Sequence, residues 1–131
     1  MSQSKKTLPK PTPAELEILC VLWQRGPSLV RDVHEKLSET RTAGYTTVLK
    51  ILQIMTEKGL VTRDTARRTH LYEAAIAQEA TQRQLLDDLL HRAFDGSASQ
   101  LVMQALAGGK ASTTEIATIR RMLDQIEGGD R

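Results

Sequence analysis

The spacing of apolar residues changes at Gly59, and this change limits the possible folds more than any other feature. Before Gly59, apolar residues recur every three to four positions in three stretches, as they do on one face of an α-helix. After it, residues 60–64 and 70–73 are short extended candidates on either side of a basic stretch, residues 65–69. This order predicts three helices followed by a β-hairpin with a basic tip. It is the order of a winged helix-turn-helix domain.

Residue types at the ends of the first helix support this prediction. Thr12 and Glu15 have the spacing of a capping box, and Pro13 stands at the first helical position. Gly26 and Pro27 then end the helix, because glycine tolerates the left-handed exit and proline cannot continue the hydrogen-bond ladder. The second and third helices are predicted over residues 30–37 and 44–58.

The apolar stripe of the first helix is predicted to contain Leu16, Leu19, Cys20 and Trp23. Cys20 is the single cysteine, so it can form neither an internal disulfide nor a thiolate metal cluster. We expect it to be a small buried side chain, with a reactive thiol as the alternative. His34, on the apolar side of the second helix, is expected to be a half-buried packing residue rather than a ligand.

The last third of the chain is predicted to be helical, with a helix over residues 78–95. Two further capping-box patterns follow, one from Ser97 to Gln100 and one from Ser112 to Glu115. Short amphipathic helices cannot bury all their apolar residues against one another, and the remaining patch normally meets a partner, most simply a second copy of the chain. The predicted dimerisation residues are Leu86, Leu89, Leu90, Phe94, Leu101, Val102, Leu106, Ile116, Ile119, Leu123 and Ile126.

Charge is distributed unevenly along the chain. Residues 1–74 contain 12 lysines and arginines and 8 acidic residues, a net charge of +4, whereas residues 75–131 contain 6 and 8, a net charge of −2. The basic part contains the predicted winged helix, which favours an anionic partner. The predicted organisation is a disordered tail over residues 1–10, a winged-helix domain over 11–76 and a helical dimerisation domain over 77–128.

The start of the third helix suggests what that partner is. A helix presented to B-DNA lies in the major groove with its N-terminal residues nearest the bases, where hydroxyl and cationic side chains are useful. Thr46, Thr47 and Lys50 provide these groups. Arg67 and Arg68, at the hairpin tip, would hold the neighbouring DNA backbone. The full set of predicted DNA-binding residues is Thr46, Thr47, Lys50, Tyr45, Arg67, Arg68, Arg41 and Thr42.

Other interpretations of these features remain open. Threonines at a helix start often cap it, and lysines or paired arginines are often simply solvated. A winged helix can also be a protein–protein interaction module without DNA binding. An enzyme is not expected, because His34, His70 and His91 lie on separate elements and no phosphate-binding loop occurs. Membrane insertion is not expected, since no run of about 18 apolar residues exists. The protein is expected to be cytoplasmic and to need no cofactor.

The chain resembles the penicillinase-repressor (BlaI/MecI/CopY) family of winged-helix transcriptional repressors. The resemblance spans residues 11–127 and is carried by PTPAELEILCVLWQRGPSLVRDVHEKL, GYTTVLKILQIMTEKGLV and RRTHLYEAAI. It implies a homodimer that binds a two-fold-symmetric operator near the promoters it silences, with the C-terminal helices as the dimerisation module. By the same resemblance, the recognition-helix residues are Thr46, Thr47 and Lys50, and the wing is the predicted hairpin.

Two features of the family are absent from this sequence. Copper-responsive relatives carry a C-terminal cluster of cysteine ligands, and this chain has no cysteine after Cys20, so metal sensing through thiolates is not expected. β-Lactam-responsive relatives are inactivated by cleavage at an Asn-Phe bond, which would fall near Gln104-Ala105, where this chain lacks the pair. The resemblance therefore leaves derepression by a membrane sensor protease open and assigns no cut site.

Overall fold

The computed structural model describes residues 9–66 and 68–129. Most of the predicted tail, residues 1–8, and the predicted wing residue Arg67 lie outside this range. Within it, the elements occur in the predicted order of three helices, a hairpin and further helices. They are α1 (Pro13–Arg25), α2 (Val30–Leu37), α3 (Tyr45–Lys58), β1 (Val61–Asp64), β2 (Leu71–Ala74), α4 (Gln78–Ala93), α5 (Ala98–Ala107) and α6 (Thr113–Gly129).

Helix α1 begins with a complete capping box, as predicted. The Thr12 hydroxyl accepts a hydrogen bond from the Glu15 backbone N–H at 3.2 Å, and Glu15 Oε1 accepts one from the Thr12 backbone N–H at 2.9 Å. At the other end, Gly26 has a φ of 89°, a conformation that residues with a Cβ rarely adopt. The helix therefore starts and stops at the residues that its sequence indicates.

The core of the winged-helix domain is aliphatic and lies between the three helices and the hairpin. Val48, Leu52 and Met55 of α3 are buried, as the periodicity of that helix predicts, and Ile51 is partly buried against them. Leu52 and Met55 have no exposed surface. The other buried apolar residues are Ile18, Leu19, Val21, Leu22, Val30, Val33, Leu37, Leu60, Val61 and Tyr72.

The buried face of α1 differs from the predicted stripe by a rotation of about one residue. Cys20, predicted to be buried, is exposed, which corrects the prediction, and Leu16 and Trp23 are only partly buried. The physical reason is that the charged Glu15 lies inside, whereas a hydrophobicity pattern assigns a glutamate to solvent. The buried residues of α1 are Glu15, Ile18, Leu19, Val21 and Leu22.

An ion pair explains why Glu15 can be buried. Its side chain is 5% exposed, and its Oε2 accepts a hydrogen bond from Nζ of Lys58, in the last turn of α3, at 2.8 Å. Burial alone would raise the pKa of Glu15, but the hydrogen bonds from Lys58 and from the Thr12 backbone N–H favour the carboxylate more. The net effect lowers the pKa below its ordinary value of 4.5. The pair thus ties the start of α1 to the end of α3.

Replacing Glu15 with glutamine is expected to destabilise the protein by about 1–2 kcal/mol at pH 7, since a charge-assisted hydrogen bond is lost while Lys58 regains water. Because the folded-state pKa is lowered, this contribution is fully present above pH 4.5 and is lost as the pH falls through the folded-state pKa. Urea unfolding at pH 7 and pH 3 would measure both effects.

The matched control is Glu79→Gln, which removes an exposed pair with Arg83 one turn apart in α4 and should change stability little. An equal loss of stability for Glu15→Gln at both pH values would contradict the assignment.

The hairpin is antiparallel, with Val61 opposite Ala74 and Asp64 opposite Leu71. Besides the two strands, the single extended residue Ser28 pairs with the hairpin, which the sequence did not predict. The Ser28 N–H donates to the Tyr72 carbonyl oxygen at 2.9 Å, and the Tyr72 N–H donates to the Ser28 carbonyl oxygen at 2.8 Å. This bridge attaches the hairpin to the α1–α2 connection. A single bridging residue has no periodicity, so no sequence pattern could indicate it.

The chain divides into two compact units, and the boundary along the sequence falls between Leu86 and Asp87, within α4. In the second unit, the Ser112 box is complete, with hydrogen bonds of 2.8 Å and 3.1 Å to and from Glu115. The Ser97 box is only half formed, because the Ser97 N–H donates to the Phe94 carbonyl oxygen. Among the described residues, no helix is long and apolar enough to cross a membrane.

Candidate nucleic-acid interface

The first turn of α3 is open to solvent and electropositive. Gly44 is its N-cap and no side chain caps the helix, so the N–H groups of Tyr45, Thr46 and Thr47 have no acceptor among the described residues. The first turn contains no acidic residue. Free N–H groups at a helix start carry a partial positive charge that suits a phosphate. This end of the helix can therefore bind an anion without rearrangement.

The predicted contact residues on α3 are all exposed. Neither threonine hydroxyl, at Thr46 or Thr47, forms a hydrogen bond with a described residue, so the capping alternative does not account for them. Lys50 is exposed one turn after Thr46. The opposite face of α3 is anchored by the buried Leu52 and Met55. A rigid helix thus presents two hydroxyls and an ammonium group to solvent.

His34 holds the entrance to this helix. Its Nε2 lies 2.7 Å from the carbonyl oxygen of Ala43, and because a carbonyl can only accept, Nε2 carries the proton and donates. The same ring meets the ring of Tyr45 edge-on, with the centroids 5.8 Å apart and the planes at 76°. His34 is half-buried, as predicted, and it links α2 to the start of α3.

The described lysines and arginines between α1 and the end of β2, residues 13–74, fall into two groups. Four of them have carboxylate partners: Arg25 with Asp32, Lys36 with Glu39, Arg41 with Glu17, and Lys58 with Glu15. Four others, which we name the unpartnered cations, form no ion pair or hydrogen bond with any described residue. The unpartnered cations are Arg31, Lys50, Arg63 and Arg68.

Two unpartnered cations lie close to the start of α3. Arg31 of α2 and Arg68 of the hairpin tip line one cavity together with Tyr45. Lys50 is on α3 itself and Arg63 is on β1. Cations without a carboxylate partner are free to neutralise an anion, and two of them line the cavity beside the exposed helix end.

The remaining predicted contact residues differ in their surroundings. Arg41 is bound to Glu17 of α1, so part of its charge is already neutralised. Thr42 is exposed in the turn before α3. Arg68 is exposed at the hairpin tip, and the prediction for Arg67 falls outside the described residues. The structure thus brings Arg68 near α3 and holds Arg41 on α1.

Sequence reasoning omitted four exposed residues on the helices and the hairpin of the winged-helix domain. Arg31 and Arg63 are unpartnered, and only the folded arrangement of α2 and β1 reveals it. Gln53 and Ile54 are exposed on α3, three and four positions after Lys50. An amide can pair with adenine and an apolar side chain can contact a thymine methyl group in the major groove. The helical spacing from Lys50 could have identified both.

The second unit has a different surface, which is apolar. None of residues 87–128 is buried, so its helices have no core of their own. Of the predicted dimerisation residues, seven are exposed and four are partly buried, and Met103 and Met122 are further exposed apolar residues that the prediction omitted. The exposed seven are Leu86, which is the last residue of the first unit, and Leu89, Val102, Leu106, Ile116, Leu123 and Ile126 of the second unit. The partly buried four are Leu90, Phe94, Leu101 and Ile119.

The chain is similar to two characterised regulators and to one solved structure. The chain is 32% identical over 116 residues to the transcriptional regulator BlaI of Mycobacterium tuberculosis, covering 88% of this chain and 83% of the relative. It is 24% identical over 120 residues to the penicillinase repressor of Bacillus licheniformis, covering 92% and 94%. The solution structure of the Bacillus licheniformis BlaI monomeric form in complex with the blaP half-operator is 26% identical, with a TM-score of 0.49 over 56% of this chain and 89% of that one.

The profile of the penicillinase repressor family matches residues 11–125. The match runs from the residue before the cap of α1 into α6, so it includes the winged helix and most of the second unit. This chain therefore belongs to the penicillinase-repressor family of DNA-binding transcriptional regulators.

Proposed function

We propose that the protein is a homodimeric repressor that binds a two-fold-symmetric DNA operator, with α3 in the major groove and the β1–β2 hairpin as a wing on the adjacent backbone. The observation that carries the proposal is that Arg31 and Arg68 line a cavity beside the uncapped start of α3, while Lys50 is exposed on the same helix. An apolar partner surface would not need free N–H groups, free hydroxyls and free cations together.

Contacts to DNA would divide into two kinds. The four unpartnered cations, Lys50 included, would neutralise phosphates on either side of the groove, which positions the protein without reading sequence. Thr46 and Thr47, in the first turn of α3, would hydrogen-bond to base edges. The role of these hydroxyls depends on the rigidity of α3, which comes from its buried face.

Two copies would be joined through the apolar surface of the second unit. A helical unit without a buried residue gains little from its own packing, and apolar side chains as exposed as Leu123 and Ile126 are unfavourable in water. A second copy offers the same surface, and an isologous interface gives the two-fold symmetry that an inverted-repeat operator requires. Recognition of two half-sites then raises the overall affinity without a new contact to DNA.

The repressor would act by binding, not by catalysis, and derepression requires release from DNA. Cleavage by a membrane sensor protease would achieve this release. The Gln104-Ala105 bond lies within helix α5, so that segment would have to unwind before a protease could cut it.

The central test is selection of duplexes from a random pool by the full-length protein, followed by affinity measurement over a range of salt concentrations. We expect an inverted repeat to be enriched. With four unpartnered cations in each copy, eight phosphate contacts predict a slope of log K against log salt of about −7.

A weak slope, or enrichment of no sequence, would overturn the proposal and favour a protein–protein interaction module. Size-exclusion chromatography of the protein with and without the selected duplex would distinguish these two functions independently.

A further inference from the structure

A cavity of about 480 Å³ lies between the start of α2, the start of α3 and the wing. Its volume is within the range of small-molecule binding sites, about 300–1,000 Å³. Most of its surface is apolar, and Leu29, Val30, Leu49 and Tyr72 are among the residues that line it. Two unpartnered cations, Arg31 and Arg68, also line it, and no acidic residue does. The cavity therefore combines an apolar floor with a cationic rim.

DNA binding explains the rim but not the floor. A phosphodiester is hydrated and needs cations and N–H donors, which the rim provides. The apolar recess offers a phosphodiester no hydrogen bond, so DNA binding gives no reason for the recess to be there. A recess next to two cations instead suits a ligand that has an anionic group and an apolar body, because such a ligand satisfies both parts of the site.

We propose that this cavity binds a small organic anion with a flat apolar body, of the arene carboxylate class, and that such a ligand competes with the operator backbone for Arg31 and Arg68. The competition rests on the proposed DNA-binding function, whereas ligand binding does not. The carboxylate would lie at the two guanidinium groups, and the ring would lie against Leu29 and Leu49. Ligand binding would release the repressor without cleavage of the chain.

The first experiment measures binding of 2-naphthoate to the ¹⁵N-labelled full-length protein by NMR, without DNA. We expect shift changes centred on Leu29, Leu49 and Thr69. Arg31→Gln should weaken naphthoate binding about tenfold, because it removes a charge-assisted hydrogen bond. Arg120→Gln, at an exposed position in α6, is the matched control and should leave it unchanged. Neutral 2-naphthamide should bind at least about tenfold more weakly than naphthoate for the same reason.

The second experiment measures affinity for the selected duplex at increasing naphthoate concentrations. We expect the apparent Kd for DNA to rise about tenfold once the cavity is saturated. Shift changes outside the cavity, or equal binding of the amide, would refute the ligand site. Naphthoate bound in the cavity with unchanged DNA affinity would refute the competition. Failure of the ligand-free protein to bind any duplex would refute the proposed function and the competition with it, while the NMR result would still decide the ligand site.

Discussion

Replacement of Leu123 by glutamate is expected to convert the proposed dimer into a monomer and to weaken operator binding by about a hundredfold. Leu123 is 55% exposed and shares a helical stripe of α6 with Ile116, Ile119 and Ile126. In the dimer this stripe would be covered, and a buried unpaired carboxylate there is strongly unfavourable. The loss of affinity follows because each monomer would then bind one half-site alone. Sedimentation equilibrium measures the first effect and fluorescence anisotropy with the selected duplex measures the second.

The exposure of Leu123 makes this variant informative, since the change removes little packing within one chain. Circular dichroism should therefore show an unchanged helix content. Gln125→Glu is the matched control, because it introduces the same side chain at an exposed polar position of α6, two residues along the chain. If the Leu123→Glu protein remained dimeric, the α6 stripe would not be part of the dimer interface.

Neutralising Lys50 is the second large perturbation. Lys50→Gln in both copies should weaken operator binding about tenfold to a hundredfold, since two phosphate contacts are lost at once, and should make the salt slope shallower by about 2. Stability should not change, because Lys50 is exposed and has no partner among the described residues. Anisotropy titrations at three or more salt concentrations provide both the affinity and the slope.

The control for Lys50 is Lys110→Gln, which removes the same charge from the exposed connection between α5 and α6. It should leave the salt slope unaltered. A Lys50→Gln protein that loses affinity for the selected duplex but not for random duplexes would show instead that Lys50 contacts a base. An unchanged slope together with unchanged affinity would remove Lys50 from the interface.

These experiments separate two routes to derepression that the chain offers. A protease would act on the second unit and abolish the paired binding of half-sites, whereas a ligand in the cavity would act on the first unit and leave the dimer intact. Sedimentation of the protein in saturating naphthoate distinguishes them, because only proteolysis changes the oligomeric state.

The candidate site was partly predictable from the sequence because its main element is a helix. Periodicity assigns a side to every residue of a helix, so the buried Leu52 and the exposed Thr46 and Lys50 follow from spacing alone. The partners of a cation do not follow from spacing. Arg41 and Arg68 look equivalent along the chain, yet Glu17 of α1 binds the first and no described residue binds the second.

What the sequence determined by itself was the set of elements and their ends, since capping boxes, glycines and apolar periods act over a few neighbouring residues. Only the tertiary structure decided which face of α1 is buried, where Ser28 pairs and which cations have no carboxylate partner among the described residues. Glu15 shows the physical reason: its burial, and with it the exposure of Cys20, depends on Lys58, which is 43 positions away in the chain. An interaction between residues that far apart leaves no local pattern, and it exists only once the helices have packed.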